Sequence, residues 1–304
     1  MSEKMTRREW GSLTITGLLA LMLPKYLWSS NILNTESVLL GIQTYSFRDR
    51  PLDAAILGMK ELEIKNCELW QGHLEPRELM WDPNSTPEQV KQKREELKKW
   101  RSQVDLEKIA GIRKKITGNG IKIQAYNCGI KENSTDKELE NIFKITQALG
   151  TNILTTSATV NIMPRLDKYA KKYKIYVGMH NHDHTENPNE FATPVSFFNG
   201  MKGNSEYIKI NLDIGHFTAS NFDPLKFISE NHKDIVCIHL KDRLENKGPV
   251  VPYGEGDTPV AEILQLLKEK NWNIAANIEY EYHGKDTMKE MQKSVAYCRQ
   301  ALKV

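Results

Sequence analysis

Cysteine is scarce in this chain, and its spacing suggests neither a metal ribbon nor a disulfide framework. The four cysteines in 304 residues stand at 67, 128, 237 and 298, with no CxxC pair. The first three fall in apolar, β-rich runs where a thiol packs as a small hydrophobe. They are read as reduced and buried, with a Cys67–Cys128 disulfide left open should the protein be exported. An excess of one charge is lacking too. Lys and Arg number 42 against 39 Asp and Glu, a formal net charge of +3, which offers no field to hold a polyanion and argues against nucleic acid as a partner. Long hydrophobic runs are missing apart from one short stretch near the start, and the mean hydropathy is −0.54, which excludes a polytopic membrane protein. No internal repeat of fixed period and no low-complexity tract is visible, so solenoids and fibrous arrays fall away. What is there is 39% hydrophobic residues, in a chain long enough to bury one large core or two modest ones.

The one short apolar stretch, Leu13 to Leu23, follows Met5-Thr6-Arg7-Arg8-Glu9-Trp10 and stops at Pro24. A charged start, an apolar middle and a break make the layout of an export signal. Paired arginines with an aromatic two residues on resemble a bacterial twin-arginine signal, a receptor-read address rather than an anchor. Trp10 stands where such signals usually carry Phe, no Ala-x-Ala cleavage site precedes Ile32, and no nearby Cys could take a lipid. Residues 1–33 are therefore expected to direct export to the periplasm, with a cytoplasmic or N-terminally anchored protein as the alternatives. Residues 38–304 are expected to form one catalytic domain with no stable membrane span.

From residue 38 onward, short β-rich runs alternate with amphipathic or polar stretches, the pattern of a parallel sheet wrapped by helices. Eight strands are expected: Leu39–Phe47, Asn66–Trp70, Ile121–Cys128, Asn152–Ser157, Ile175–His182, Ile208–Ile214, Ile235–Lys241 and Ile274–Tyr282. Helices are expected over Leu52–Ile64, Asp136–Ala148, Pro164–Tyr173, Pro224–Glu230 and Pro259–Lys270, with the prolines near the starts, where a missing N–H costs little. The charged stretch Pro87 to Lys115 reads as a solvated helix face. Eight βα units in this length make a single (β/α)8 TIM barrel.

Catalytic groups in such a barrel project from the C-terminal ends of the strands, and polar residues collect there in the last four. The fifth strand runs into His180-Asn181-His182-Asp183-His184, with His180 and His182 on one face because side chains alternate. The sixth gives Asn211-Leu212-Asp213-Ile214-Gly215-His216. The seventh gives Cys237-Ile238-His239-Leu240-Lys241-Asp242-Arg243, with His239 and Lys241 on one face. The eighth gives Glu279-Tyr280-Glu281. If those faces point inward, His180, Asp213, His239 and Glu279 arrive from four successive strands at one level and make a two-nitrogen, two-oxygen site for one divalent ion. The donor set suits Mn, Zn, Co or Fe without choosing among them. Asp242 is expected to orient His239 or to pair with Lys241 or Arg243.

Gly41-Ile42-Gln43-Thr44-Tyr45-Ser46-Phe47, Cys67-Glu68-Leu69-Trp70, Gly178-Met179-His180-Asn181-His182, Leu212-Asp213-Ile214-Gly215-His216, Ile238-His239-Leu240-Lys241-Asp242, Tyr253-Gly254-Glu255-Gly256 and Ile278-Glu279-Tyr280-Glu281 follow one another in an order that resembles the xylose-isomerase-like sugar phosphate isomerase/epimerase superfamily. The resemblance implies a TIM barrel holding one divalent metal, often manganese, and a small carbohydrate substrate. It carries metal-ligand roles to Asp213, His239 and Glu279. At the fourth position the keto-sugar epimerases have Glu where this chain has His180, so their two-glutamate acid–base pair is incomplete here. Inosose dehydratases and related members with a His-rich fifth strand are closer. Matching positions also make Gln43 and Glu68 contacts to sugar hydroxyls.

A divalent ion that chelates a ketone oxygen and the neighbouring hydroxyl stabilises the enediolate left when a base takes the α-proton. Returning the proton isomerises or epimerises, and losing a β-substituent makes the reaction a lyase. Glu279 is the candidate base as well as a ligand. His182, His216, Lys241 and Glu68 are candidates for substrate binding or for the acid that assists a leaving oxygen. Trp70, Gly72 and His73 could wall a sugar ring, and Glu255 sits in a Gly-rich loop able to approach a ligand. The expected substrate is a keto-sugar, an oxidised glycoside or a polyol. From another class, a sugar-binding barrel without turnover would keep the fold and lose the metal chemistry. The abasic-site endonuclease branch needs early-strand histidines and a basic face, which this chain lacks. A homo-oligomer is left open.

Overall fold

The computed structural model describes residues 38–303 except Trp81, His283 and Lys285, so the twin-arginine-like segment lies outside the described residues. Eight parallel strands close a barrel: β1 (Leu39–Gln43), β2 (Asn66–Trp70), β3 (Lys122–Asn127), β4 (Ile153–Thr156), β5 (Tyr176–His180), β6 (Ile208–Asp213), β7 (Ile235–Leu240) and β10 (Ala275–Ile278). They neighbour one another in chain order, and β10 pairs with β1 to complete the ring. A small antiparallel ribbon, β8 (Asp242–Arg243) with β9 (Val250–Val251), extends β7 above the mouth. Between the strands run α1 (Leu52–Glu61), α2 (Pro87–Ser102), α3 (Leu106–Gly118), α4 (Asp136–Ala148), α5 (Met163–Tyr173), α6 (Pro194–Met201), α7 (Ile214–Ala219), α8 (Pro224–Asn231), α9 (Val260–Lys270) and α10 (Thr287–Ala301). The expected (β/α)8 architecture is what forms.

Strand alternation explains where the core sits. Outward residues Val177, Met179, Ile210, Leu212, Ile238, Leu240, Ala276 and Ile278 are buried in the large apolar layer between sheet and helices. Each of these larger than alanine contributes about 1.5–3 kcal/mol by leaving water. The inward residues of the same strands are small below and polar above: Ala125, Cys237 and Ala275 pack together as a floor, and the polar groups stack toward the mouth. One irregularity sets the phase. The β6–β7 register shifts between Ile210 and Asn211, after which Asn211 faces Cys237 and Asp213 faces His239. The extra residue on β7 turns Cys237 and His239 into the barrel together with Asn211 and Asp213.

Three elements differ from expectation. The first strand ends at Gln43, whose side chain accepts the Tyr45 N–H and caps a 3-10 turn over Thr44–Phe47. The eighth ends at Ile278, so Glu279 and Glu281 lie on the loop just above the sheet. The charged stretch after β2 is two helices, α2 and α3, and not a purely solvated face, because Arg101 is fully buried. α2, α4 and α6 begin with capping boxes at Thr86, Thr135 and Thr193, which satisfy N–H groups the first turn leaves unpaired. α6 and α10 are not among the expected helices, although α10 buries Met291, Val295 and Cys298 at helical spacing. All four cysteines are free and buried, so the Cys67–Cys128 disulfide is not formed.

Candidate metal centre

Register brings the polar strand ends to one level. His180 pairs with Asn211, Asp213 with His239, and Asn277 with His239. One ligand atom from each of His180, Asp213 and His239 lies within 4.8 Å of the others, all three residues being buried, and His180, His182 and His216 form a second such trio. Glu279 joins the first group, with Oε2 3.0 Å from His239 Nδ1. Four buried atoms converge there: His180 Nδ1, which has no partner, and Asp213 Oδ2, His239 Nδ1 and Glu279 Oε2, which make no well-aligned hydrogen bond but lie 2.8 to 3.1 Å from Lys241 Nζ or from one another. Stranding one buried polar atom costs about 1–3 kcal/mol, so a bare His180 nitrogen beside a second imidazole and two ionised carboxylates fits a site able to take a cation. Two imidazoles and two carboxylates are a donor set a divalent ion takes.

Glu68 has a different place from the one expected. It is fully buried. One of its oxygens accepts from Thr155, and Oε2 lies 2.8 Å from His239 Nε2 and 2.9 Å from Asn277 Nδ2. Its oxygens are thus spent on Thr155, His239 and Asn277, which places Glu68 behind the His239 ring. Accepting from Nε2, it orients the His239 ring so that Nδ1 faces Glu279, as carboxylates behind metal-bound imidazoles do. Asn181 grips Asp213 from both sides, accepting its N–H at 2.8 Å and donating to its carbonyl at 3.1 Å. Asp213 Oδ1 in turn caps α7 through the His216 N–H at 2.8 Å, which leaves Oδ2 for the centre.

Lys241 supplies the local positive charge. Its buried Nζ lies 2.8 Å from Asp213, 3.1 Å from Glu279 and 2.5 Å from Glu281. Burial pulls its pKa down, but the three carboxylates outweigh that and hold it well above the usual value. Burial pushes Asp213 up, yet Lys241, His180 and His239 bring it down to about 2; Glu279 is lowered in the same way by Lys241 and His239. His180 is driven well below the usual imidazole range by burial and by its His239 and His182 neighbours. His182 and His216 are lowered by burial and then by Lys241. Arg243 donates to His216 Nδ1 at 2.6 Å and pairs with Asp183 at 3.0 Å. Without an ion, Glu68 and Glu279 on its two sides hold His239 well above its usual value against the pull of burial.

The remaining expected site residues divide. His180 and His182 do share a face, their rings 5.0 Å apart. Gln43 points into the barrel but spends its oxygen on the cap of the 3-10 turn. Trp70 lines a cleft beside the centre with Tyr45, Arg48 and Glu281. His73 does not reach that cleft, because its Nε2 is held 3.1 Å from the Arg50 carbonyl. Glu255 is exposed and acts on Lys293 of α10, so the structure does not bring it to the centre. Asp242 pairs with neither Lys241 nor Arg243. It accepts the N–H groups of Gly254, Gly256 and Thr258 at 2.7, 3.1 and 3.2 Å, and a Cβ at position 256 would stand 2.1 Å from its Oδ1. Those glycines serve the Asp242 staple and not a ligand. Sequence reasoning missed Asn181, Asn211, Asn277, Thr155 and Glu281. The asparagines inside apolar strands were the available signal, since an amide is buried only where it is paired.

A family model described as xylose isomerase-like TIM barrel matches residues 91–301. No curated protein matches the chain. Among solved structures, the fold is similar to 3-keto-D-glucoside 4-epimerase YcjR from E. coli, at 12% identity and TM-score 0.61 over 86% of this chain and 99% of that one. It is similar to the probable 3-DHS dehydratase AsbF from Bacillus anthracis, at 16% identity and TM-score 0.58 over 86% and 98%. It is also similar to the IOLI protein with a bound zinc atom, at 14% identity and TM-score 0.62 over 87% and 98%. With more than half of its length matched by the family model and its strands closed into the barrel described above, the chain belongs to the xylose isomerase-like TIM barrel family.

Proposed function

We propose that the protein is a divalent-metal-dependent enzyme that moves a proton at the carbon next to a carbonyl of a keto-sugar, an oxidised glycoside or a related polyol, in the manner of a sugar isomerase or epimerase. The observation that carries this reading is the convergence of buried His180 Nδ1, Asp213 Oδ2, His239 Nδ1 and Glu279 Oε2, two imidazoles and two carboxylates, at one level of the mouth. Those four residues would hold the ion. The chemistry an ion supplies there is positive charge beside the carbonyl and its neighbouring hydroxyl, which eases removal of the proton between them. The chain's own groups do the rest. Glu279, kept ionised by Lys241 and His239, is the base. The Lys241 ammonium stays charged and donates to an oxygen that gains charge or leaves. His182, neutral at pH 7 because of its burial, can give or take a proton beside it.

Elimination is the second reading, favoured by His180. This imidazole sits where a second opposed glutamate would be needed for two-base epimerisation, and burial favours its neutral form, the form that ligates a metal. An epimerase and a dehydratase are both among the proteins of similar fold. Elemental analysis of the purified protein beside Asp213→Ala and His239→Ala, with NMR of keto-sugars in D2O, tests the proposal. One ion per chain in the parent, lost in both variants, and metal-dependent deuterium incorporation or dehydration are expected. A parent that takes no ion overturns it, and ion binding without exchange or elimination leaves a sugar-binding barrel.

Export is proposed on the Arg7-Arg8 segment alone. Fractionation of cells expressing the parent and an Arg7→Lys/Arg8→Lys variant tests it, with retention of the variant in the cytoplasm as the expected result. No helix among the described residues is long and apolar enough to cross a membrane.

A further inference from the structure

Beside the centre, over the ends of β1 and β2 and under the ribbon, lies a cleft of about 810 Å3. Ligand pockets run from about 300 to 1,000 Å3, and none of His180, Asp213, His239 and Glu279 lines this space, so it offers room for a ligand group beyond the one those residues would hold. The cleft is continuous with the centre through Glu281, which lines it and lies 2.5 Å from Lys241 Nζ. Its walls are aromatic and cationic. Tyr45 and Trp70 meet edge to face with centroids 5.1 Å apart, and Arg48 and Arg77 line the same space.

The arginines are the informative part. Among the described arginines, only Arg48, Arg77 and Arg113 lack a carboxylate within 4.0 Å, and two of these three face the cleft. Arg48 is fixed in place without being neutralised. Its guanidinium lies 4.8 Å from the centroid of the Tyr45 ring, and Nη1 donates to the carbonyls of Tyr280 at 2.7 Å and Tyr45 at 3.4 Å. Arg77 is tethered to the Arg48 carbonyl. A guanidinium held by carbonyls keeps its charge and its remaining N–H groups for a planar anion. Trp70 is placed with similar care: a Cβ at Gly72 would come within 2.2 Å of its ring.

We propose that this cleft takes a second sugar unit of the substrate, and that Arg48 and Arg77 select a unit carrying an anionic group such as a uronate carboxylate or a sugar sulfate. The proposal rests on the sugar reading of the metal centre. Calorimetry on the metal-loaded protein tests it with cellobiose, its glucuronate-bearing analogue cellobiouronic acid, cellobiose sulfate, glucose and glucose 6-phosphate. Expected is at least tenfold tighter binding of the two anionic disaccharides than of cellobiose, weakening as salt is raised. In Arg48→Gln/Arg77→Gln the ratio should fall to about one, and in Arg77→Gln, an exposed substitution that spares the fold, to an intermediate value. Trp70→Ala should weaken neutral and anionic disaccharides alike. Equal binding of neutral and anionic disaccharides, or a preference that survives the double variant, overturns the proposal. Glucose 6-phosphate binding as well as the anionic disaccharides overturns the second-unit assignment. If none of these sugars binds although the ion is loaded, the sugar reading itself has failed, whereas glucose binding as tightly as every disaccharide sinks only the second subsite.

Discussion

Two buried ionic networks sit on opposite sides of β2, and they are built to different ends. In one, Arg101 of α2 forks onto Glu75 at 2.8 and 2.9 Å, both side chains fully buried. Arg101 spends its other N–H groups on the Gly129 carbonyl at 3.0 Å and Gln71 at 3.1 Å, and Tyr126 donates to Glu75 at 3.2 Å. Neither Arg101 nor Glu75 leaves a side-chain atom without a partner. In the other, around Lys241 and His239, the contacts are ion pairs without well-aligned hydrogen bonds, and His180 Nδ1 has no partner although charge is plentiful. Both networks carry the desolvation cost of burying ions. The first recovers it within the chain and ties α2 to the barrel, whereas the second leaves His180 Nδ1 bare and its carboxylates turned toward the same space.

The largest effect should come from opening the functional network further. His239→Ala is expected to abolish ion binding and, with it, ion-induced stabilisation, so the rise in melting temperature on adding Mn or Zn disappears while the metal-free protein still folds. Arg101→Ala breaks the closed network instead and strands Glu75, at a cost of about 3–5 kcal/mol. Urea unfolding should show that loss with ion binding retained; equal sensitivity of both properties to both substitutions would erase the distinction. Acid comes next. Asp213 titrates at about 2 in the fold against 3.8 ordinarily, so its contribution, about 2–3 kcal/mol in the metal-free protein, is present above pH 4 and is lost as pH falls through about 2. Denaturant melts of parent and Asp213→Asn between pH 5 and 2 measure it, and curves of equal steepness would remove Asp213 from the account. Glu68→Gln, which disturbs the orientation of His239 without removing a ligand, should weaken ion affinity about 10–100-fold by competition with a chelator. The smallest effect belongs to an exposed pair. Lys115→Ala, which breaks a 2.7 Å contact to Asp53 between half-exposed side chains, should change stability by less than about 1 kcal/mol.

The centre was legible in the sequence to the degree that chemistry follows strand alternation. His180, Asp213, His239 and Glu279 each end or just follow an apolar strand, and period-two alternation makes their convergence an arithmetic consequence of eight parallel strands in a ring. Supporting groups were less visible. Glu68 looks the same in sequence whether it meets a substrate or a histidine, and only the β1–β2–β3 register brings it to His239 Nε2. Asp242 has two cationic neighbours in the chain and uses neither, because the loop from Gly254 to Thr258 offers it three N–H groups that neutralise it at no cost in side-chain freedom. Arg101 lies in a stretch whose charge density reads as solvated, and the carboxylate that buries it is 26 residues away in sequence.

By itself the sequence determined the eight-strand alternation, the apolar faces turned to the helices, and the kinds of atom at each strand end, because periodicity and residue chemistry are local properties. Tertiary structure alone decided which polar atoms are satisfied and which are left open. That distinction depends on distances between strands set by barrel closure, by the shifted β6–β7 register and by loops that fold back over the mouth, none of which is written within a few residues of the atoms concerned.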